Sequence, residues 1–132
     1  MTKNKQQTVL VIEDNADNTL LMEAVIGRFA DARLLSAPSA ELGIALAVKE
    51  RPDLILLDIN LPGMNGFEAL KQLQDTMETK DIVVIAITAA AMPAEVEAGM
   101  QAGFRDYVTK PLDIPKFVQI IRKHLESLKS SA

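Results

Sequence analysis

Asp58 stands where an apolar run, Leu54-Ile55-Leu56-Leu57, gives way to a turn-rich stretch, Asn60-Leu61-Pro62-Gly63-Met64-Asn65-Gly66. Two more runs end in polar groups. Val9-Leu10-Val11-Ile12 ends in Glu13-Asp14, and Ile82-Val83-Val84-Ile85-Ala86-Ile87 ends in Thr88. A shorter segment, Arg105-Asp106-Tyr107-Val108, leads into Lys110-Pro111, a candidate cis peptide. If these runs are parallel neighbours, three carboxylates, a hydroxyl and an amine meet on one rim.

Three carboxylates that close repel by about 1–4 kcal/mol per pair near a protein surface. They escape by raising a pKa or by binding a cation. Oxygen donors without His or Cys select a hard ion, Mg²⁺ in a cell. Asp14 alone reads equally well as a cap on the following helix, Thr88 alone as a strand-end hydroxyl, and Lys110 alone as a solvated surface amine. Acids after both runs favour the cation. A cation, Lys110 and Thr88 together suit a dianionic phosphoryl group. Asp58 is then its nucleophile, since carboxylates serve as phosphate acceptors.

Positioning these groups is the task of short β-branched runs that alternate with stretches of helical spacing. Strands are predicted over 8–12, 32–36, 54–57, 82–87 and 105–108. Helices are predicted over about 16–30, from Ser39 to about Lys49, over 65–75, from Pro93 to about Ala102, and over 114–128 capped by Asp113. Leu20, Leu21, Ala24, Val25 and Ile26 supply the apolar contacts of the first helix. Leu42, Ala45, Leu46 and Val48 do so in the second, and Phe67, Leu70 and Leu73 in the third. Five strands alternating with five helices imply a parallel sheet covered on both faces, a (βα)5 flavodoxin-like three-layer α/β sandwich. The strand order 2-1-3-4-5 is expected by analogy with other such sheets, whose ligands bind outside the carboxyl ends of the strands. The chain reads as one domain over 1–132, with its core at about 8–126 and frayed ends at 1–7 and 129–132.

Composition narrows the function classes. The net charge is 14 − 18 = −4 and no basic cluster is present, which argues against direct nucleic-acid binding. Without cysteine, disulfides and thiolate chemistry are excluded. No apolar stretch approaches the roughly 18 residues of a membrane span, and residues 1–7 are too polar for a signal peptide. A cytoplasmic location is expected. The one histidine, His124, lies among Arg122, Lys123 and Glu126 and reads as solvent-facing. The six methionines form no stripe.

Taken together, VLVIEDN with Glu13-Asp14, LILLDINLPGMNG with Asp58, IAIT with Thr88 and DYVTKP with Tyr107 and Lys110 resemble the receiver domains of two-component response regulators, the CheY-like superfamily. The resemblance covers about residues 8–126. It implies that a histidine kinase or histidine phosphotransfer protein donates a phosphoryl group to Asp58. It also implies Mg²⁺ on Asp14, Asp58, the main-chain carbonyl of Asn60 and, directly or through water, Glu13. Two aspartates are the commoner pair in the family, so Glu13 is a departure. Thr88 and Tyr107 are the implied switch, remodelling the surface of the fourth helix, fifth strand and fifth helix, where a downstream partner or a second copy docks. Asn60 and Ala90 flank the path of an attacking water. EDNADN and AITAAAMP are similar to receivers at the ends of hybrid sensor kinases, so the chain is expected to be a stand-alone receiver or part of a larger protein.

Other readings fare worse. A phosphohydrolase of the haloacid-dehalogenase type needs an acid two residues after the nucleophile, where this chain has Asn60. A nucleotide- or flavin-binding module needs a glycine-rich first turn, and Glu13-Asp14-Asn15-Ala16 is acidic. A receiver that signals without phosphorylation is disfavoured because every chemical position is filled.

Overall fold

A computed structural model of the protein describes residues 6–89 and 92–130. Five strands, β1 (Gln7–Ile12), β2 (Ala32–Ala37), β3 (Leu54–Asp58), β4 (Val83–Thr88) and β5 (Asp106–Thr109), form one sheet in the order β2-β1-β3-β4-β5. Every pairing is parallel. The crossovers are α1 (Ala16–Phe29), α2 (Ala40–Glu50), α3 (Gly66–Gln74) and α4 (Pro93–Ala102), and α5 (Ile114–Ser130) follows β5. This is the expected α/β sandwich in the expected order. The strand order reverses beside β1, so the crevice falls between the ends of β1 and β3.

Alternation along the strands builds two cores. Val9, Val11, Leu54, Leu56, Ile85, Ile87 and Val108 face Met22, Val25 and Ile26 of α1 and Phe117, Ile121 and Leu125 of α5. Leu10, Ile12, Ile55, Leu57, Val84 and Ala86 face Ala40 and Ala47 of α2 and Ala69, Leu70 and Leu73 of α3. β3 and β4 are buried at every position, which is why they read as unbroken apolar runs.

The helices begin where side chains satisfy their first amides. Asn15 accepts from the Asn18 amide, Ser39 from Leu42 and Asp113 from Lys116. Asn65 and Glu68 form a reciprocal capping box at α3. α4 differs. It starts at Met92 with no side-chain cap, and Gly99 is its one buried residue. At its far end the Gln74 side-chain amide donates to the Ala102 carbonyl at 3.0 Å. The turn there needs Gly103 at φ 122°, and any Cβ would run into Gln74.

Several expectations need correction. Gln7 and Lys129 lie inside elements, not in frayed ends. Gln7 pairs with Ala32 and its side chain donates to the Leu125 carbonyl at 2.9 Å, which anchors the start of β1. Leu20, Leu21 and Leu42 are exposed, because the buried faces of α1 and α2 run through Met22, Val25 and Ile26 and through Ala40, Gly43 and Ala47. Phe67 sits at the rim of its face, edge-on to Phe104. His124 is buried, not solvent-facing, because its Nε2 lies 3.0 Å from Asp106 Oδ2 on β5. Among the described residues no helix is long and apolar enough to cross a membrane.

Candidate functional site

Register brings the acids together. Ile12 and Leu57 are partners in the β1–β3 pair, so Glu13 and Asp58, the next residues of each, emerge side by side. Both are almost fully buried, at 3% and 1% exposure, whereas Asp14 is exposed. The cap of α1 is Asn15, not Asp14, so Asp14 is not spent on the helix end. Ligand oxygens of Glu13, Asp14 and Asp58 lie within 4.8 Å of one another.

The opposing charge comes from the far side of β4. Thr88 pairs with Thr109, and the Lys110 amide donates to the Thr88 carbonyl at 2.9 Å. Lys110-Pro111 is cis, as the sequence proposed. The ammonium then reaches back across β4, with Nζ 2.9 Å from Asp58 Oδ2 and 3.4 Å from Glu13 Oε1. Asp58 Oδ1 accepts from the Asn60 amide at 2.8 Å, and Glu13 Oε2 from the Asn15 amide at 3.1 Å. Thr88 closes β4 at 5% exposure. Ala90 lies outside the described residues.

Crowded negative charge leaves an electrostatic mark. Burial, then hydrogen bonding to Asp58 and its charge, push the Glu13 carboxyl from 4.5 up to about 7, against the Asn15 amide and Lys110. Burial pulls the Lys110 ammonium down, but hydrogen bonds and charges from Asp58 and Glu13 outweigh it and the pKa is raised. An acid whose pKa rises on folding holds its proton more tightly in the folded state. Its contribution to stability is therefore full below 4.5 and is lost as pH rises through about 7. Thermal unfolding in chelating buffer should show a melting temperature that falls across this window, and Glu13→Gln should flatten the fall. A profile unchanged by that substitution would sink this account of Glu13.

The donor set fits a small hard cation. All its side-chain donors are carboxylate oxygens, and a dication would offset both the burial and the neighbouring Asp58 charge that raise Glu13.

Tyr107 is half-buried on β5, bordering an open groove with Pro93, Ala94, Val96 and Glu97. Between it and Thr88 lies a cleft of about 20 Å³, lined also by Ile59, Ala86, Val96 and Gly99. That holds about one water and not a phenol ring.

Gly66 was legible in the sequence only as a turn residue. Its amide donates to the Ile59 carbonyl at 2.9 Å, and a Cβ there would meet Ile59 Cα at 2.6 Å and the Asp58 carbonyl oxygen at 2.8 Å. It lets α3 press against the segment that carries Asp58. A glycine directly after the capping Asn65 was the available signal.

A family model described as the response regulator receiver domain matches residues 9–122. The polar-differentiation response regulator DivK of Brucella anthropi is 37% identical over 119 residues, covering 90% of this chain and 96% of that protein. The receiver domain of sensor histidine kinase PA1611 from Pseudomonas aeruginosa PAO1, solved with a magnesium ion coordinated in its active-site cleft, is 27% identical with a TM-score of 0.81, covering 92% of this chain and 99% of that one. The chemotaxis response regulator CheY4 of Vibrio cholerae shares the fold, with a TM-score of 0.84 at 21% identity, 91% of this chain and 99% of that one being covered. A match that runs from β1 into α5 takes in every strand of the sheet, and the chain belongs to the response regulator receiver domain family.

Proposed function

We propose that Asp58 is the phosphoacceptor of this receiver domain and that Thr88 and Tyr107 read its state. The observation that carries the reading is the meeting of Asp58 with Lys110 at 2.9 Å on the rim shared with Glu13 and Asp14. A carboxylate oxygen of Asp58 attacks phosphorus, the bond from phosphorus to the donor's imidazole nitrogen breaks, and the imidazole leaves with the electron pair. Lys110 exchanges its contact with Asp58 Oδ2 for one with a phosphoryl oxygen, and the Thr88 hydroxyl donates to another.

Asp14, Asp58, the Asn60 carbonyl and Glu13, directly or through water, would hold Mg²⁺. When bound, the ion supplies neutralisation of the charge shared by the acids and the phosphoryl oxygens. Chelation should stop labelling of the domain by acetyl phosphate while its circular dichroism stays unchanged; labelling that survives chelation would refute the assignment.

The narrowness of the cleft supports coupling between the two switch residues. The Tyr107 ring can turn inward only if Thr88 or α4 makes room, so one phosphoryl contact biases a two-state element. The surface formed by α4, β5 and α5 then changes, and we assign the downstream partner or second copy to it. The phosphodonor is a histidine kinase or histidine phosphotransfer protein, and the domain itself works in the cytoplasm. Water reaching the acyl phosphate past Asn60 ends the signal. The haloacid-dehalogenase reading gains no support, since Asn60 exposes an amide where that chemistry needs an acid.

A further inference from the structure

The buried histidine is the feature that the phosphoacceptor chemistry does not use. His124 is 8% exposed on α5, and its Nε2 stands 3.0 Å from Asp106 Oδ2. The other oxygen of that carboxylate accepts from the Tyr107 main-chain amide at 2.9 Å. One carboxylate therefore ties the backbone of the switch tyrosine to the last helix. Lys123 Nζ lies 3.8 Å from Asp106 Oδ2 as well, but is largely exposed, where an ion pair contributes little.

Alternation explains why the tie bears on the switch. Val108 packs into the α1/α5 core with Phe117 and Ile121, and Asp106, two residues earlier, shares its face. Tyr107 between them points to the opposite face, towards Thr88 and α4. Turning its ring inward must be accommodated by torsions at Tyr107, whose amide Asp106 restrains. A restraint made in one state and weakened in the other shifts their balance by its difference alone.

We infer that Asp106 and His124 are positioning residues that favour the outward arrangement of Tyr107 and so set the threshold at which Asp58 modification switches the surface. The inference rests on the phosphoacceptor reading and goes beyond it, since neither residue touches the phosphoryl site. Tyr107 is the only tyrosine and the chain has no tryptophan, so intrinsic emission reports on this one ring.

The test is a beryllofluoride titration in Mg²⁺, followed by tyrosine emission, at a temperature where circular dichroism shows every variant folded. Asp106→Asn and His124→Leu should each lower the half-saturating concentration by roughly three- to tenfold, a fraction of what a charge-assisted hydrogen bond contributes. The double variant should go no further than either single one. His124→Gln, which keeps an N–H donor, should restore most of the threshold. A purely structural role would lower the melting temperature and leave the half-saturation where it was. Unchanged or raised half-saturation, or additive effects, would overturn the inference while leaving the phosphoacceptor reading intact. A wild-type domain that binds beryllofluoride without any change in emission would overturn both the aromatic switch and this inference.

Discussion

The Asp58→Asn variant is expected to take up no phosphoryl group from acetyl phosphate or from a partner kinase, while remaining folded. The amide keeps the shape of the carboxylate and an oxygen to accept from the Asn60 amide. It loses the charge and the free lone pairs that attack phosphorus. Stability should not suffer in proportion. The substitution breaks the ion pair with Lys110, yet it removes one of three crowded negative charges, each pair of which repels by about 1–4 kcal/mol near a surface. Lys110 can then turn wholly to Glu13, already 3.4 Å away. The expected melting temperature in chelating buffer is thus equal to or above that of the parent. Phosphorylation at unchanged stoichiometry would disqualify Asp58 as the acceptor, and loss of folded structure would make its role one of packing.

Gly66→Ala should do the greatest damage for the fewest atoms. The added methyl would stand 2.6 Å from Ile59 Cα and 2.8 Å from the Asp58 carbonyl oxygen. Both are backbone atoms, so relief requires moving the segment that carries Asp58. Overpacking of this kind costs about 1–3 kcal/mol. The displacement also spoils the placing of Asp58 and Asn60, so both the melting temperature and Mg²⁺-dependent labelling should fall. Gly27→Ala is the control, since its position on α1 has nothing within 4 Å and should gain roughly 0.5–1 kcal/mol from helix preference. A Gly66→Ala domain as stable and as readily labelled as the parent would show that α3 yields at that contact.

What the sequence carried was decided by how local the cause is. β3 and β4 are buried on both faces, so their runs read as strands without ambiguity, and their ends placed Asp58 and Thr88. Caps at Ser39 and Asp113 depend on residues three apart and were legible for the same reason. Glu13, Asp14, Asp58 and Lys110 could be gathered because strand order, once taken by analogy, converts run-ends into neighbours. Long-range causes stayed hidden. The burial of His124 depends on Asp106, eighteen residues away on another element. Leu20, Leu21 and Leu42 satisfy helical spacing as well as the residues that are buried, and only the sheet decides which stripe faces inward. Gly66 looked like turn chemistry because the backbone it touches, Asp58 and Ile59, is brought up by folding.

Among the described residues, α4 has a side-chain tie at its carboxyl end and no side-chain cap at its amino end. Gln74 and the Gly103 turn hold its carboxyl end to α3, whereas the end near Thr88 starts at Met92 with main-chain bonds from Glu95 and Val96 and no side-chain cap. Mechanically this is a lever with its fulcrum on α3. Ten residues make an arm of about 15 Å, so a small rotation about the α3 end displaces the amino end furthest. With Gly99 as its one buried residue, the arm can swing without prising open the sheet core.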